Sequence, residues 1–321
     1  MAPAQVSVVI STRGRGNPIR SSIDSILSQR GVAFEIIVVD SSDDDATLDA
    51  LHKYITRGEV RYFRIAHRGL SVSRNFGVRQ AASDIIALTD DDCEAAPGWL
   101  AKITEPLSAD PRVAVAFGNV VAPLTNPAEC FAISYTRHGS YLASSLAQKH
   151  RVEGIGGCMA LRREVWQKLG GFDALLGVGA RFHAAEEVDL TLRSLRAGYS
   201  VFETDEAEVL HTGIRPNASK NAIARKYAFG IAAVYAKHLR CGRLSVLIPL
   251  VALAARWAFG KPAVSYGRPP SHWSRLAGFV QGFFAACLPP LNRDRAIFTE
   301  PMSDPSSPFA DKQHADWLRY L

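Results

Sequence analysis

Short apolar runs rich in β-branched residues alternate with segments of helical periodicity over the first third of the chain. The runs predict buried strands at VSVVIST (6–12), FEIIVVDSS (34–42), VRYFRIA (60–66) and DIIALTD (84–90). The intervening segments predict helices at GNPIRSSIDSILSQ, ATLDALHKYI (46–55), LSVSRNFGVRQAA (70–82) and PGWLAKITEPL (97–107). Strands that alternate with helices at this spacing predict an α/β fold with a largely parallel sheet flanked by helices.

The alternation weakens after about residue 110. The patterns predict a strand over 113–123, an irregular or helical insertion over 126–150, a strand, helix and glycine turn over 156–173, a helix over 184–199, and short strands up to the VLH at 209–211. Trp99 and Trp166 are predicted to lie in the core.

Charge divides the chain into two unlike parts. Residues 1–212 carry 22 Lys and Arg against 26 Asp and Glu, whereas residues 213–321 carry 15 against 5. The basic part lacks the interleaved aromatics and glycine-rich strands of a nucleic-acid module, so an anionic membrane surface is the expected partner and nucleic acid is not. Five scattered cysteines without a C-x-x-C pair, and a start that lacks a secretory pattern, indicate a cytoplasmic, reducing location.

Acidic residues follow two of the predicted strands. Asp90, Asp91 and Asp92 come directly after one buried strand, and Asp40 lies at the end of another. The carboxyl ends of parallel strands form the ligand crevice of such sheets, so these acids are expected to share one site. Carboxylates at i and i+2 suit Mg²⁺ or Mn²⁺, with phosphate oxygens completing the coordination. The interpretation is a metal–diphosphate site, and the alternative is a solvated acidic loop.

Several ordered motifs resemble the inverting glycosyltransferases of family 2, which have the GT-A fold. They are VVISTRGR, IIVVDSSDDD, GLSVSRNFGVRQAASDIIALTDDD, and GGCMALRREVWQKLGGFD through EEVDLTLRSLRAGY to VLH, covering roughly residues 5–212. The resemblance implies a Rossmann-like, mostly parallel sheet in a catalytic domain over 1–215. Its nucleotide-binding half covers about 1–123 and its acceptor half about 124–215, and a helical basic extension follows over 216–321.

The resemblance also implies roles for individual residues. Asp90 and Asp92 match the D-x-D motif and, with His211 as a third ligand, would bind Mn²⁺ or Mg²⁺. The residues implied to contact the nucleotide sugar are Thr12, Arg13, Asp40, Arg74, Asn75, Asp90 and Asp91.

The catalytic base is implied by EEVDL, which aligns with E-D-x-D-L and puts Glu187 in the place of the base aspartate. Glu186 is the candidate base if this alignment is off by one. The alternative to a catalytic role is that both acids are present because a helix N-terminus favours negative charge. Asp173 and Asp189 are implied at the acceptor, although Asp189 with Arg193 at i, i+4 also fits a plain surface pair. Cys158 stands where the family has an asparagine that contacts donor or acceptor.

The expected function is metal-dependent, inverting transfer of a sugar from a nucleotide-diphosphate sugar to an acceptor hydroxyl. A lipid-linked or cell-envelope glycan acceptor, as in polysaccharide biosynthesis, is the expectation from the family. One rival is a catalytically silent GT-A-like scaffold that binds nucleotide or glycan. A dinucleotide-dependent oxidoreductase is the other rival, but GRGNPI offers only two of the three glycines of its fingerprint.

Two apolar segments in the basic part, 246–255 and 276–291, are shorter than the about 20 residues that a membrane-spanning helix needs. The cations that flank them are Lys237, Arg240, Arg243, Arg256, Lys261, Arg268 and Arg275. This pattern predicts in-plane attachment to an anionic leaflet on the inner face of the membrane, with a helix over 220–240 extending the basic surface. The alternative is that both segments pack on the catalytic domain.

Overall fold

The computed structural model describes residues 5–66, 69–123, 126, 129–259, 264–266 and 269–299. Its strands are β1 (Val6–Thr12), β2 (Phe34–Asp40), β3 (Arg61–Arg64), β4 (Ile85–Asp90), β5 (Cys93–Ala95), β6 (Val113–Val121), β7 (Cys130–Phe131), β8 (Tyr141–Ala143), β9 (Cys158–Arg162), β10 (Ser200–His211), β11 (Arg215–Pro216), β12 (Leu291–Asn292) and β13 (Ile297–Phe298). Its α-helices are α1 (Ile19–Leu27), α2 (Ala46–Thr56), α3 (Leu70–Gln80), α4 (Trp99–Ala109), α5 (Arg163–Leu169), α6 (Glu186–Arg196), α7 (Lys220–Arg240), α8 (Leu247–Phe259) and α9 (His272–Ala285).

The central sheet has the strand order β3-β2-β1-β4-β9-β6-β10-β5, and β8 pairs with β10. Strands β3, β2, β1 and β4 are mutually parallel, as are β6 and β10, whereas β9 runs antiparallel to both of its neighbours. The predicted mostly parallel sheet flanked by helices is therefore confirmed. The chain adds β2 and β3 on one side of β1 and then crosses to β4 on the other, which makes the β1–β4 boundary the topological switch point where ligands bind.

Helices cover both faces of the sheet. On one face, α1 and α4 bury Ile23, Trp99 and Leu100 against the strands. On the other, α5 and α6 contribute Trp166 and Leu190 to a second core cluster. The prediction that both tryptophans belong to the core is confirmed.

Strand β10 differs from the short strands predicted for this region, since it is continuous over 12 residues. Its pairing with β6 shifts register between Glu203 and Glu208, which bound a polar stretch of the strand. Glu203 is buried and accepts hydrogen bonds from Tyr135 and Arg137, each at 2.7 Å. The strand then delivers His211 to a position opposite Cys93, beside the acidic triplet.

The extension after residue 215 is helical, as predicted, and packs on the rest of the molecule. Helix α9 lies so close to α7 that a Cβ at Gly278 or Gly282 would collide with the carbonyl oxygens of Arg225 and Phe229. Among the described residues, no helix combines the length and the apolar composition needed to cross a membrane.

The cations that flank the two apolar segments are predicted to form a basic surface. For those that the structure describes, this prediction is wrong. Lys237 is fully buried, Arg240 donates to two backbone carbonyls, and Arg256 pairs with Glu153. Arg243 also donates to a backbone carbonyl, and Arg275 is buried; Lys261 and Arg268 lie outside the described residues. These positive charges are used inside the fold rather than presented together at its surface.

What the extension presents instead is apolar. We call the following exposed side chains the outer apolar surface: Leu244, Leu247, Ile248, Val251, Phe259, Trp273, Leu276, Val280, Phe284 and Leu288. On α9 they recur at helical spacing on the side opposite Gly278 and Gly282, which face α7.

Candidate active site

A pocket of about 290 Å³ opens at the carboxyl ends of β1 and β4. The predicted site residues that line it are Thr12, Arg13, Arg74, Asp90, Asp91, Asp92, Glu186, Glu187 and His211. Residues from five separate parts of the chain thus meet at the switch point. Asp40, Asn75, Asp173 and Asp189 do not line this pocket.

The donor set beside β4 fits a divalent cation. Carboxylate oxygens of Asp90 and Asp92 and the sulfur of Cys93 lie within 4.8 Å of one another, and His211 Nε2 is 3.5 Å from Asp92 Oδ1. His211 Nδ1 donates its hydrogen to the carbonyl oxygen of Ile133 at 2.8 Å, and Nε2 faces Asp92, so a bound cation would take the place of the Nε2 hydrogen. Burial and the Asp90 charge raise the pKa of the Cys93 thiol well above its usual range. Oxygen and imidazole ligands therefore remain, the set that suits Mn²⁺ or Mg²⁺.

Asp91 and Asp92 differ in acidity. Burial raises the pKa of Asp91 to about 6, even though Arg15 lies beside it. Burial alone would also raise the pKa of Asp92, but the hydrogen bond from His211 and the Arg15 charge outweigh burial, and the pKa of Asp92 is lowered. Burial alone would lower the pKa of His211, but the neighbouring Asp92 more than offsets burial, and the pKa of His211 is raised. Asp92 is therefore more firmly ionised than Asp91.

Arg15 is a pocket residue that sequence reasoning missed. Its Nε donates to Asp91 Oδ1 at 3.0 Å and its Nη2 to Asp92 Oδ2 at 2.6 Å. The predicted Arg13 also lines the pocket, but its guanidinium pairs with the exposed Asp43 at 3.2 Å. The second arginine of TRGR was the available signal, since it follows the same strand end.

Arg74 organises the centre of the pocket. It is buried, and it donates to Glu186 Oε1 at 2.8 Å, to Asp90 Oδ1 at 2.9 Å and to the carbonyl oxygen of Gly156 at 3.1 Å. A Cβ at Gly156 would lie 2.5 Å from its guanidinium, so only glycine leaves room for this arrangement. Arg74 therefore fixes Glu186 and Asp90 relative to each other.

Glu187 lies in the same pocket but forms no ion pair among the described residues. Burial and the adjacent Glu186 charge raise its pKa well above the ordinary 4.5. The turn that delivers the two glutamates is strained, because Ala185 has φ 74°, in the left-handed region. A buried carboxyl group whose raised pKa the nearby Arg74 charge offsets only in part is suited to accept a proton.

The two aspartates expected at the acceptor have other partners. Asp173 and Asp189 are fully buried and flank Lys237 of α7, at 2.5 Å and 2.9 Å. Asp189 also accepts from Arg193 at 2.8 Å and from His238 at 3.2 Å. The surface-pair alternative for Asp189 and Arg193 is wrong, because α7 covers them. Both carboxylates are thus paired inside the protein, and the acceptor role implied for them by the resemblance stays a prediction.

Two predicted nucleotide contacts support the pocket from outside its lining. Asp40 is buried and accepts from the backbone N–H of Ser42 at 2.8 Å and from the Tyr62 hydroxyl at 2.7 Å. The Asn75 side chain exchanges two 2.8 Å hydrogen bonds with the backbone of Phe172. Both polar groups are thus satisfied within the protein.

Cys158 does not line the pocket. Its sulfur is buried and accepts a hydrogen bond from Trp99 Nε1 at 3.2 Å. The side chain is thus part of the core.

Further pocket residues carry no strong local sequence signal. The Ser11 hydroxyl is buried with no hydrogen-bond partner among the described residues, which leaves it available to a ligand. Tyr227 reaches the pocket from α7, outside every motif. A Cβ at Gly213 would lie 2.6 Å from His211 Nε2 and 2.7 Å from Asp92 Oδ2, so the backbone approaches the cation site closely.

The fold and the strand-end carboxylates are those of the GT-A class of folds. A family model described as glycosyl transferase family 2 matches residues 7–170, about half of the chain, and the chain belongs to this family.

Curated relatives extend beyond the region that they share with this chain. An uncharacterized protein y4gI of Sinorhizobium fredii is 28% identical over 64% of this chain, but the match covers only 24% of that protein. A glucosyl-dolichyl phosphate glucuronosyltransferase of Haloferax volcanii is 27% identical over 64% of this chain and 69% of its own length. The chain thus spans about a quarter of one of these proteins and about two thirds of the other.

A solved structure matches most of the fold. The mannosyltransferase PcManGT of Pyrobaculum calidifontis, in complex with GDP-Man and Mn²⁺, superposes with a TM-score of 0.55 at 17% identity. The superposition covers 90% of this chain and 87% of that one. It therefore includes most of the extension as well as the sheet.

Proposed function

We propose that this protein is a metal-dependent inverting glycosyltransferase that moves a sugar from a nucleotide-diphosphate sugar to an acceptor hydroxyl. The observation that carries the proposal is the single pocket that contains both a cation-binding set and a free carboxylate. Asp90, Asp92 and His211 stand in this pocket together with Glu187. Donor activation and proton removal can therefore take place side by side.

The donor would lie along the switch point. Thr12 and the unpartnered Ser11 hydroxyl line the end nearest β1, where the nucleotide would bind. Arg13 and Arg15 provide positive charge beside the position proposed for the diphosphate, and Asp91 lies next to Arg15.

Asp90, Asp92 and His211 would hold the Mn²⁺ or Mg²⁺. When bound, the cation supplies positive charge that stabilises the departing diphosphate. Arg15 contacts Asp92, one of the proposed ligands, as well as Asp91, so we expect it to move towards the diphosphate when the site fills.

Glu187 would act as the general base. The acceptor oxygen forms a bond to C1 of the sugar as the bond from C1 to the diphosphate oxygen breaks, and the hydroxyl proton passes to Glu187. Attack from the side opposite the leaving group inverts the anomeric configuration. Arg74 is a positioning residue, since it holds Glu186 and Asp90 and so sets the spacing between the base and the cation site.

The proposed setting is the inner surface of an anionic membrane, with a glycan or lipid-linked acceptor. The outer apolar surface supports attachment through apolar contact, because so many large apolar side chains on one part of a protein mark an interaction site. All five cysteines are free, which agrees with a reducing compartment. Since most of the described cations nearby have internal partners, we expect lipid charge to contribute less than apolar contact.

The test is a screen of UDP-, dTDP- and GDP-sugars by thermal shift with and without Mn²⁺, followed by ¹H NMR of the transferred sugar. The proposal predicts Mn²⁺-dependent stabilisation by at least one donor and a product of inverted anomeric configuration. Binding without any sugar release, even to water, would identify a silent scaffold instead, and a retained configuration would contradict the role of Glu187.

A further inference from the structure

A second cavity, of about 110 Å³, adjoins the donor pocket. The two share four lining residues, namely Ile155, Ala185, Glu187 and Tyr227. Glu187 therefore stands at the junction, and a molecule in the second cavity would reach the proposed base from the side away from β1.

The extension forms much of the cavity wall. Ala224, Ala228 and Ile231 recur at i, i+4 and i+7 on α7, so one face of this helix lines the cavity. Pro249 and Leu253 form the facing wall on α8. These positions lie beyond residues 7–170, so they belong to this chain's own extension rather than to the part that the family model matches.

The aromatic part of the lining combines apolar rings with free hydroxyls. Tyr227, Tyr235 and Tyr266 line the cavity, and their hydroxyls form no hydrogen bond with the described residues. Trp257 adds a fourth ring. Such walls favour an apolar or aromatic group that carries a hydroxyl or ether oxygen.

The charged groups of the lining are already engaged. Lys149 donates to the carbonyl oxygen of Val152 at 2.8 Å, and Arg256 pairs with Glu153. Arg275 is buried, with its guanidinium 5.8 Å from the Trp257 ring centre. Glu153 is the acidic partner of Arg256, and most of the remaining lining is apolar or aromatic, which favours a ligand whose bound part is apolar.

We infer that this cavity binds the part of the acceptor next to the reacting hydroxyl, and that this part is an apolar or aryl group of about six carbons. An apolar cavity of about 150 Å³ accepts a benzene ring, so about 110 Å³ suits a group of this class once side chains adjust. The inference rests on the proposed function, because it takes Glu187 as the base that the hydroxyl faces. The acceptor class is an amphipathic alcohol with its apolar side against α7 and α8.

The probe for the test is 4-fluorobenzyl alcohol, followed by ¹⁹F NMR on the full chain with Mn²⁺. Saturable binding with a Kd on the order of 1 mM is expected for so small a ligand. Leu253→Phe, which fills the cavity from α8, should weaken binding at least tenfold, and so should Ala228→Leu from α7. Leu250→Phe is the matched control, since it makes the same change on the same helix at a partly buried leucine outside the lining.

The outcomes separate this inference from the proposed function. Mn²⁺-dependent binding of UDP and GDP, measured by calorimetry, should stay within twofold in Leu253→Phe, since that residue does not line the donor pocket. A donor-loaded protein should convert the probe to a fluorobenzyl glycoside. Absent probe binding, binding that ignores both cavity variants, or no glycoside from a protein that releases its sugar to water would overturn the inference. Loss of nucleotide binding in the unaltered chain would instead remove the proposed function.

Discussion

Replacing Lys237 by methionine should destabilise the protein, because it removes the cation between two buried carboxylates. Asp173 lies 2.5 Å and Asp189 2.9 Å from its ammonium group, and all three side chains are fully buried. Breaking a buried ion pair by removing one partner costs about 3–5 kcal/mol. Asp189 would keep Arg193 and His238 as partners, so most of the loss would fall on Asp173, and we expect about 3 kcal/mol.

The assay is urea unfolding followed by tryptophan fluorescence, with Lys237→Met beside the double variant Lys237→Met/Asp173→Asn. The neutral amide no longer needs the ammonium charge. Its single oxygen can accept from one of the two backbone N–H groups that donate to Asp173, Leu175 at 3.0 Å or Phe298 at 2.9 Å, and the other loses its acceptor. The double variant should therefore recover part of the loss. A loss below about 1 kcal/mol in the single variant, or a double variant that is no more stable, would refute the account of α7 as an ionically anchored part of the catalytic unit.

Three further predictions concern the cation site, the buried histidine and the outer apolar surface. Asp92→Asn should weaken Mn²⁺-dependent UDP or GDP binding at least tenfold by calorimetry, because the firmly ionised ligand is lost; the exposed Asp49→Asn should have no effect. Burial lowers the pKa of His238, so the unfolded chain binds a proton that the folded protein does not, and the free energy of unfolding should fall as the pH drops below about 6.5. Urea unfolding at pH 5.5 and 7.5 should show a smaller difference in His238→Gln, and equal differences would contradict this. The chain should float with phosphatidylcholine–phosphatidylserine vesicles, and Trp273→Glu should reduce flotation whereas Leu142→Glu should not.

Much of the sheet could be predicted because its signals are local. A short β-branched run such as Val6–Thr12 predicts a strand rather than a helix, because helices are usually longer. Both faces of this strand are buried. The strand-end position of Asp90 followed from the same runs, since parallel strands bring their carboxyl ends together. Ser11 of β1 pairs with Asp90 of β4, so the two strands end side by side, as expected.

The errors come from contacts between parts of the chain that are far apart in sequence. The i, i+4 spacing of Asp189 and Arg193 fits a surface pair, because no residue of their own helix buries them. Lys237 and His238, which cover Asp189, lie on α7 about fifty residues later in the sequence. Arg256 read as a surface cation because its partner Glu153 is likewise about a hundred residues away.

The pocket residues that come from the extension could not be predicted from the sequence either. Tyr227 lies at an ordinary position in a helical pattern, and only the packing of α7 brings it beside Glu187. The division into a catalytic domain and an extension remains a prediction, although α7 contributes to both cavities.

The most direct test of the central claim compares Glu187→Gln with Glu186→Gln in transfer or donor-hydrolysis assays across pH. Glu187→Gln keeps the shape of the side chain and removes its basicity, so kcat should fall by roughly 10²–10⁴-fold while nucleotide affinity stays within about threefold. Glu186→Gln should keep substantial turnover, and the acid limb of its rate profile should move to lower pH, because the Glu186 charge contributes to the raised pKa of Glu187. A crippled Glu186→Gln beside an active Glu187→Gln would contradict the assignment of the base.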